Sequence, residues 1–400
     1  MKVAVIGAGF SGMLAAYLLE KEGINVTVYE KQEYLGGHCR TLTTINKNTE
    51  LGTVAFFSKA IKELLIELQI DYTERFVYRH FLDENYNNVE HILGDEVAML
   101  MNELGRLKVI LEKYKDTLET TNYGNIHPDL LVPLSHFLKI YNLNTVYHVI
   151  VPYLSSFGFG NIEYVQAYYA FKVFNINTIY TFIQGEKLLF IKRGTTELIQ
   201  KLSENISDIR LSLEVTSVNV KDNKVTVDTL YSSEEFDKVL ITTKLSTNVV
   251  KDELYNGLMQ KIITNPFITC AFEVNNKKLA TTYYKSNLGN KGKIQFFYTS
   301  RQNHKTTLVA YAYGIASKKI ISDITMDLSH TGIDIKHLIT VKQWYIFPHL
   351  KNEDLSETFY EDIYRSQKRS NIWLIGSLIS KPELGNLYLS IRKTIKELID

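Results

Sequence analysis

Three glycines and one acid carry the first chemistry legible in this chain. Gly7, Gly9 and Gly12 stand in the spacing G-x-G-x-x-G within "KVAVIGAGFSGMLAAYLLEKEG", and Glu30 follows Gly12 by 18 positions. The first glycine permits a tight turn, the second lets the backbone approach a pyrophosphate, and the third lets a helix pack closely. A helix that starts at such a turn offers phosphates its unpaired N–H groups and a partial positive charge. Glu30 ends the next apolar run, "INVTVYE", where an acid would accept hydrogen bonds from ribose hydroxyls. Phe10 and Ser11 inside the turn, and Lys31 beside the acid, join the candidate contacts. The pattern predicts dinucleotide binding, against the blander reading of a glycine-rich turn without a ligand.

The elements that must position these groups are simple. "KVAVIG" is a short apolar strand, and "MLAAYLLEKEG" carries apolar residues at helical spacing. The acid is then followed by Gly36, Gly37, His38, Cys39, Arg40 and Thr41. This run resembles the second fingerprint of two-dinucleotide-binding-domain flavoproteins, E…GG-(R/K)-x-x-(S/T). The resemblance implies that the loop lies along the pyrophosphate and ribityl chain of FAD. His38 takes the usual basic position and Arg40 is displaced by two; His38 itself reads as a polar loop residue. FAD is favoured over NAD, because a nicotinamide-only fold has no particular use for this second loop.

Composition bounds the partners. Across 400 residues, 45 Lys and Arg balance 44 Asp and Glu, for a formal net charge of +1. That balance argues against a nucleic-acid binder, which would show a basic excess or stripe. Two cysteines, Cys39 and Cys270, cannot build a disulfide framework and suit a reducing compartment. No apolar run approaches the roughly 18–20 residues of a membrane span, and the first strand begins at once. A soluble, cytoplasmic protein without integral membrane contact is expected, and no metal site.

Beyond the first sixty residues, "AFFSKAIKELLIELQID" predicts an amphipathic helix. "ERFVYRHFLDENYNNV" alternates as a strand and hairpin would, with Arg75 and Arg79 on one face if extended. Residues 92–183 read as mostly helical and rich in aromatics. Within them Phe157, Gly158, Phe159 and Gly160 form an unusual alternation, so the chain turns there or something approaches its backbone. Strands return around "DIRLSLEVTSVNVKDNKVTVDT", and long alternating segments over 246–364 suggest a mixed sheet flooring a cavity. The expected fold class is α/β: a Rossmann-like FAD-binding domain of the glutathione-reductase type, a mixed-sheet substrate domain and a helical cap. Expected boundaries are 1–70, 184–245 and 365–400 for the discontinuous first domain. The substrate-domain hairpin is expected at 71–91, the cap at 92–183 and the mixed sheet at 246–364.

At the far end, "NIWLIGSLISKPELGNLYLSIRKTIKELI" reads as a strand, a loop and a closing amphipathic helix. Related flavoproteins end this strand in Gly-Asp or Gly-Glu, and here it ends in Gly376-Ser377, so one anchor for the cofactor is missing. Gly385-Asn386 precedes the helix, and Asn386 joins the candidate cofactor contacts. By the same likeness, the backbone near Val215 would meet the adenine.

With these pieces on the page, the chain resembles the polyenoic fatty acid isomerase family, within the flavin amine oxidase and phytoene desaturase-like superfamily. The likeness rests on "NIHPDLLVPLSHFL", "FGFGNIEYVQAYY", "QWYIFPHL" and "GNLYLSIRKTI". It implies hydride transfer from a bis-allylic carbon to flavin N5 and its return at another carbon, with no net oxidation. It also implies an apolar channel in which Phe157 and Phe159 face a passing cation. "YRHFL" is similar to that family's R-R-E-F-L, which makes Arg79 the expected anchor for a fatty-acid carboxylate, with Arg75 second. Trp344 is a further candidate substrate contact. Two other readings stay open: an amine oxidase or desaturase with net oxidation, and a non-catalytic nucleotide- or lipid-binding protein. Oligomeric state is not legible.

Overall fold

The computed structural model describes residues 1–44, 47–57, 59–367 and 369–400. Its first layer is a five-stranded parallel sheet ordered Ile372–Leu374, Lys238–Ile241, Lys2–Ile6, Asn25–Tyr29, Asp208–Arg210. These strands come from three separated stretches of chain. Their near-continuous apolar runs are what a parallel sheet covered on both faces requires. The first helix, Phe10–Lys21, packs on this sheet together with the closing helix Leu384–Ile399.

The second layer is a seven-stranded sheet ordered Ile335–Leu350, Ile262–Val274, Lys305–Tyr313, Ile294–Gln302, Thr281–Tyr284, Arg79–Leu82, Asn88–Val89. Its pairings are antiparallel except for Thr281–Tyr284 with Arg79–Leu82. Alternation assigns its two faces. Leu308, Ala310 and Ala312 pack with Ile324 and Leu328 of helix Lys318–His330, while Val309, Tyr311 and Tyr313 turn to the opposite core. The predicted α/β class with a mixed sheet is the fold observed.

Helices between Glu96 and Ile183 form the third part. Leu100, Leu104 and Leu107 of Glu96–Glu112 meet Val146 and Ile150 of Asn144–Ser156 at helical spacing. Lys172 is fully buried there and donates to the carbonyls of Thr120 and Asn122, each at 2.9 Å. Burial lowers its pKa to about 6.

Two expectations change. Within Ala55–Asp71 only Ile61–Glu67 is helical, and Ser58 lies outside the described residues. "ERFVYRHFL" is not one strand: Tyr72–Arg75 pairs with Leu188–Ile191, whereas Arg79–Leu82 joins the seven-stranded sheet. Each half satisfies its backbone in a different ladder, so the three residues between them must carry the chain across.

The Phe-Gly alternation is both a turn and a close approach. Gly158 has φ +85° and Gly160 φ +82°, conformations that L side chains rarely adopt. A Cβ on Gly158 would sit 2.0 Å from Ile346 Cδ1. Gly158→Ala should therefore lower stability by roughly 1–3 kcal/mol, to be read from denaturant unfolding; an unchanged midpoint would refute the steric account.

Candidate functional site

The parallel strands deliver their carboxyl ends to one crevice, where open α/β sheets bind ligands. Gly7 follows the first strand, Glu30 the second, Thr242 and Lys244 the strand Lys238–Ile241, and Ser377 the last; all five line one cavity of about 1120 Å³. Gly36 N–H donates to the carbonyl of Ala8 at 2.8 Å, and Gly9 bridges to Gly36. The two glycine turns thus meet backbone to backbone, with a Cβ on Gly37 only 3.2 Å from the Gly9 Cα. The first helix starts at this junction, and no side chain bonds to its N-terminal amides. A turn of this kind, open at a helix N-terminus, has the shape and charge that a pyrophosphate site requires.

Glu30 is held rigidly. Its carboxylate accepts from Ala8 N–H and Gln32 N–H, both at 2.8 Å. Each oxygen keeps capacity to accept a further bond, and the residue lines the cavity, as recognition of a ribose would require. Lys31 and Val215 line this end with it, and Phe10, Ser11 and Gly9 line the cradle. His38 is buried, its pKa lowered to about 4 by burial, and its ring meets that of Trp344 edge-on at 5.2 Å. A neutral ring is the consequence, not the basic group its loop position suggested.

Beyond Trp344 the same cavity becomes aromatic, with Phe57, Phe157, Phe182, Phe190, Tyr283 and Phe296 on its walls. Phe157 meets Phe57 edge-on at 5.3 Å. Arg75 and Arg79 both line this chamber, although they belong to different sheets. The Arg75 guanidinium lies 3.9 Å from the centre of the Phe190 ring, and burial lowers its pKa. Arg79 sits 5.2 Å from the Phe182 ring and 5.4 Å from that of Tyr153. Its Nη1 donates to Val77 O at 3.3 Å, and its Nε is buried without a partner. Among the described residues neither arginine makes an ion pair.

Five expected contacts lie off the cavity wall. Gly12 acts by packing, since a Cβ there would be 1.8 Å from the Gly7 carbonyl oxygen. Gly376, φ +72°, is pressed against Ser11, where a Cβ would fall 2.4 Å from Oγ. Phe159 is buried against Phe347, ring centres 4.2 Å apart, so it serves the core behind the chamber. Asn386 spends its amide on Thr121 O at 2.9 Å and Ser380 Oγ at 2.7 Å. Thr41 turns its hydroxyl to Glu50 Oε1 at 3.1 Å, because Glu50 needs donors in a buried position.

Sequence reasoning missed Thr242, Lys244, Glu383 and Glu50. The first two follow a parallel strand, which was the available signal. Glu383 precedes the closing helix and caps it. Glu50 carried no motif. It accepts from Thr195 N–H at 2.8 Å and Thr195 Oγ1 at 2.6 Å, tying the second glycine loop to helix Thr195–Ser203.

Burial raises the Glu50 pKa to about 7, opposed by hydrogen bonds from Thr195 and Thr41. The native state therefore holds this proton more tightly than the unfolded chain. Its contribution to stability is full below the unfolded value near 4.5 and is lost as pH rises through about 7. Glu50→Gln should remove that loss. Relative to wild type the variant should gain roughly 2–3 kcal/mol between pH 4.5 and pH 8, measured by denaturant unfolding at the two values. A pH-independent difference would refute it.

Comparison with known proteins places this geometry. A family model described as flavin containing amine oxidoreductase matches residues 10–327. A lysine-specific histone demethylase 1B homolog of Caenorhabditis elegans is 27% identical over 267 residues, 61% of this chain and 32% of that protein. A 4,4'-diapophytoene desaturase of Staphylococcus aureus is 23% identical over 284 residues, 60% of this chain and 55% of that one. The chain spans about a third of the length of the first of these relatives and about half of the second. In structure, a CLA-producing fatty acid isomerase from P. acnes superposes with TM-score 0.90 at 21% identity, over 100% of this chain and 98% of that one. A cyclohexylamine oxidase from Brevibacterium oxydans follows at TM-score 0.76 and 14% identity, over 100% and 99%. At those identities the superpositions establish the fold, and the family match establishes the rest: this chain belongs to the flavin-containing amine oxidoreductases, an FAD-dependent enzyme.

Proposed function

We propose that the chain isomerises a polyunsaturated fatty acid, moving a double bond without net oxidation. One observation carries the reading: two guanidinium groups without ion pairs stand in an aromatic chamber that opens directly from the cofactor cavity. Arg79 is half-buried and Arg75 exposed, both resting on aromatic rings, and a ligand carboxylate would add two parallel charge-assisted bonds. The cavity volume of about 1120 Å³ exceeds the usual range for one small ligand. It suits a dinucleotide followed by an acyl chain.

FAD fits the residues present: the glycine cradle, the uncapped helix and Glu30 match its pyrophosphate and ribose. When bound, it supplies a centre that accepts a hydride and can return it. The protein's own part is positional. Arg79 would hold the carboxylate, with Arg75 in support. Phe57, Phe157 and Phe182 would exclude water and present ring faces to positive charge developing on the acyl chain. The likeness in fold to a fatty acid isomerase supports this reading over an amine oxidase. So does the placement of the cavity carboxylates: Glu30 and Glu214 lie at the ribose end and Glu383 at the closing helix, away from the arginine chamber.

With FAD loaded and oxygen removed, linoleate should give a conjugated diene without any added acceptor. Turnover that requires oxygen and releases hydrogen peroxide would instead identify an oxidase. Arg79→Ala should raise the Michaelis constant for the free acid about ten- to a hundredfold, as loss of a charged hydrogen bond of ~1.5–3 kcal/mol requires. The methyl ester should be unaffected. Equal effects on acid and ester would refute the anchor.

A further inference from the structure

Two helices open their N-termini onto the main cavity, and the chain treats them in opposite ways. The first begins at Gly9, which offers no side chain to its amides, and its first turn holds no acid. The closing helix begins at Glu383, whose carboxylate accepts from Gly385 N–H at 3.0 Å and Asn386 N–H at 2.8 Å. Glu383 is only 6% exposed, yet it lies on the cavity wall beside Pro382, Leu384 and Leu387. One helix end is left free for an anion, and the other is already occupied by the protein's own anion.

The position of the second end follows from contacts. Gly376 is pressed against Ser11 in the first turn of the first helix. Ser377, next in sequence, and Glu383 and Leu384 at the start of the closing helix line the same cavity as Gly9 and Ser11. With adenosine at Glu30 and Val215, the other half of FAD would extend away from them. Ser377, the start of the closing helix and Trp344 line the part of the cavity that would receive it. A free helix end there would stabilise the negative charge that a flavin gains on reduction. A carboxylate bonded across that end opposes its partial charge, even with Lys381 close enough to feel the carboxylate.

We propose that Glu383 is a tuning residue that holds the bound flavin at a low reduction potential. Its consequence for catalysis rests on the isomerase reading. As hydride leaves, a substrate C–H bond breaks and two electrons move with the hydrogen to the flavin. As it returns, a new C–H bond forms and the oxidised cofactor is restored, so no outside acceptor is consumed. Raising the energy of the reduced cofactor makes return favoured over retention.

Two neutral variants test this. Glu383→Gln keeps one acceptor for the helix amides, and Glu383→Ser installs a favoured N-cap without charge. Each is loaded with FAD, and its midpoint potential is measured against a reference dye with no substrate present. A rise of about 30 mV or more is expected, a tenfold or larger shift in the two-electron equilibrium. Glu383→Asp, which keeps the charge, should stay nearer wild type. An unchanged or lowered potential in either neutral variant overturns the proposal. Loss of FAD from both overturns it as well, since the carboxylate would then serve retention of the cofactor. Because no substrate is used, a shifted potential in a protein that isomerises nothing sinks only the isomerase reading. Isomerisation with no shift sinks only this one.

Discussion

The backbone contact between the two glycine turns is the constraint on which the rest of the structure depends. Gly36 N–H reaches the Ala8 carbonyl, and the Gly9 and Gly37 backbones lie against each other without an intervening side chain. A Cβ on Gly37 would press on the Gly9 Cα at 3.2 Å, and one on Gly12 would strike the Gly7 carbonyl oxygen at 1.8 Å. Holding this junction shut keeps the first helix end open to phosphate. It also places His38, and through it Trp344, at the entrance to the aromatic chamber. The cofactor cavity and the second chamber are continuous because one loop serves both.

Three carboxylates in or behind the wall of that cavity are each held by hydrogen-bond donors of the chain. Glu30 is satisfied by two backbone amides, Glu50 by Thr195 and Thr41, and Glu383 by the first amides of the closing helix. The arginines differ, for they rest on aromatic faces and, among the described residues, make no ion pair. Cation–π contact stabilises a guanidinium less than a carboxylate does. The proposed carboxylate anchor rests on that difference.

The seven-stranded sheet shows how one element can serve two cores. Its alternate residues face helix Lys318–His330 on one side and the cavity on the other, so both faces are apolar. Tyr298 and Tyr311 reach across to the carbonyls of Glu50 and Gly52, fastening the second sheet to the loop that follows the glycine pair. Chamber and cradle are thus joined by hydrogen bonds as well as by packing.

What the sequence determined by itself is local. Turn, strand, helix and acid in fixed register made the dinucleotide crevice legible, because each glycine answers a steric demand of its neighbours within a few residues. The α/β class followed from the same periodicities. Only tertiary structure decided which motif residues face the ligand. Thr41 and Asn386 were drawn off by buried partners, and Phe159 by Phe347, none of them adjacent in sequence. Arg75 and Arg79 came to share a chamber through two separate sheets rather than one strand. Glu50 and Glu383 gained their importance from burial. Burial is a property of the packed chain, and spacing along the sequence does not encode it.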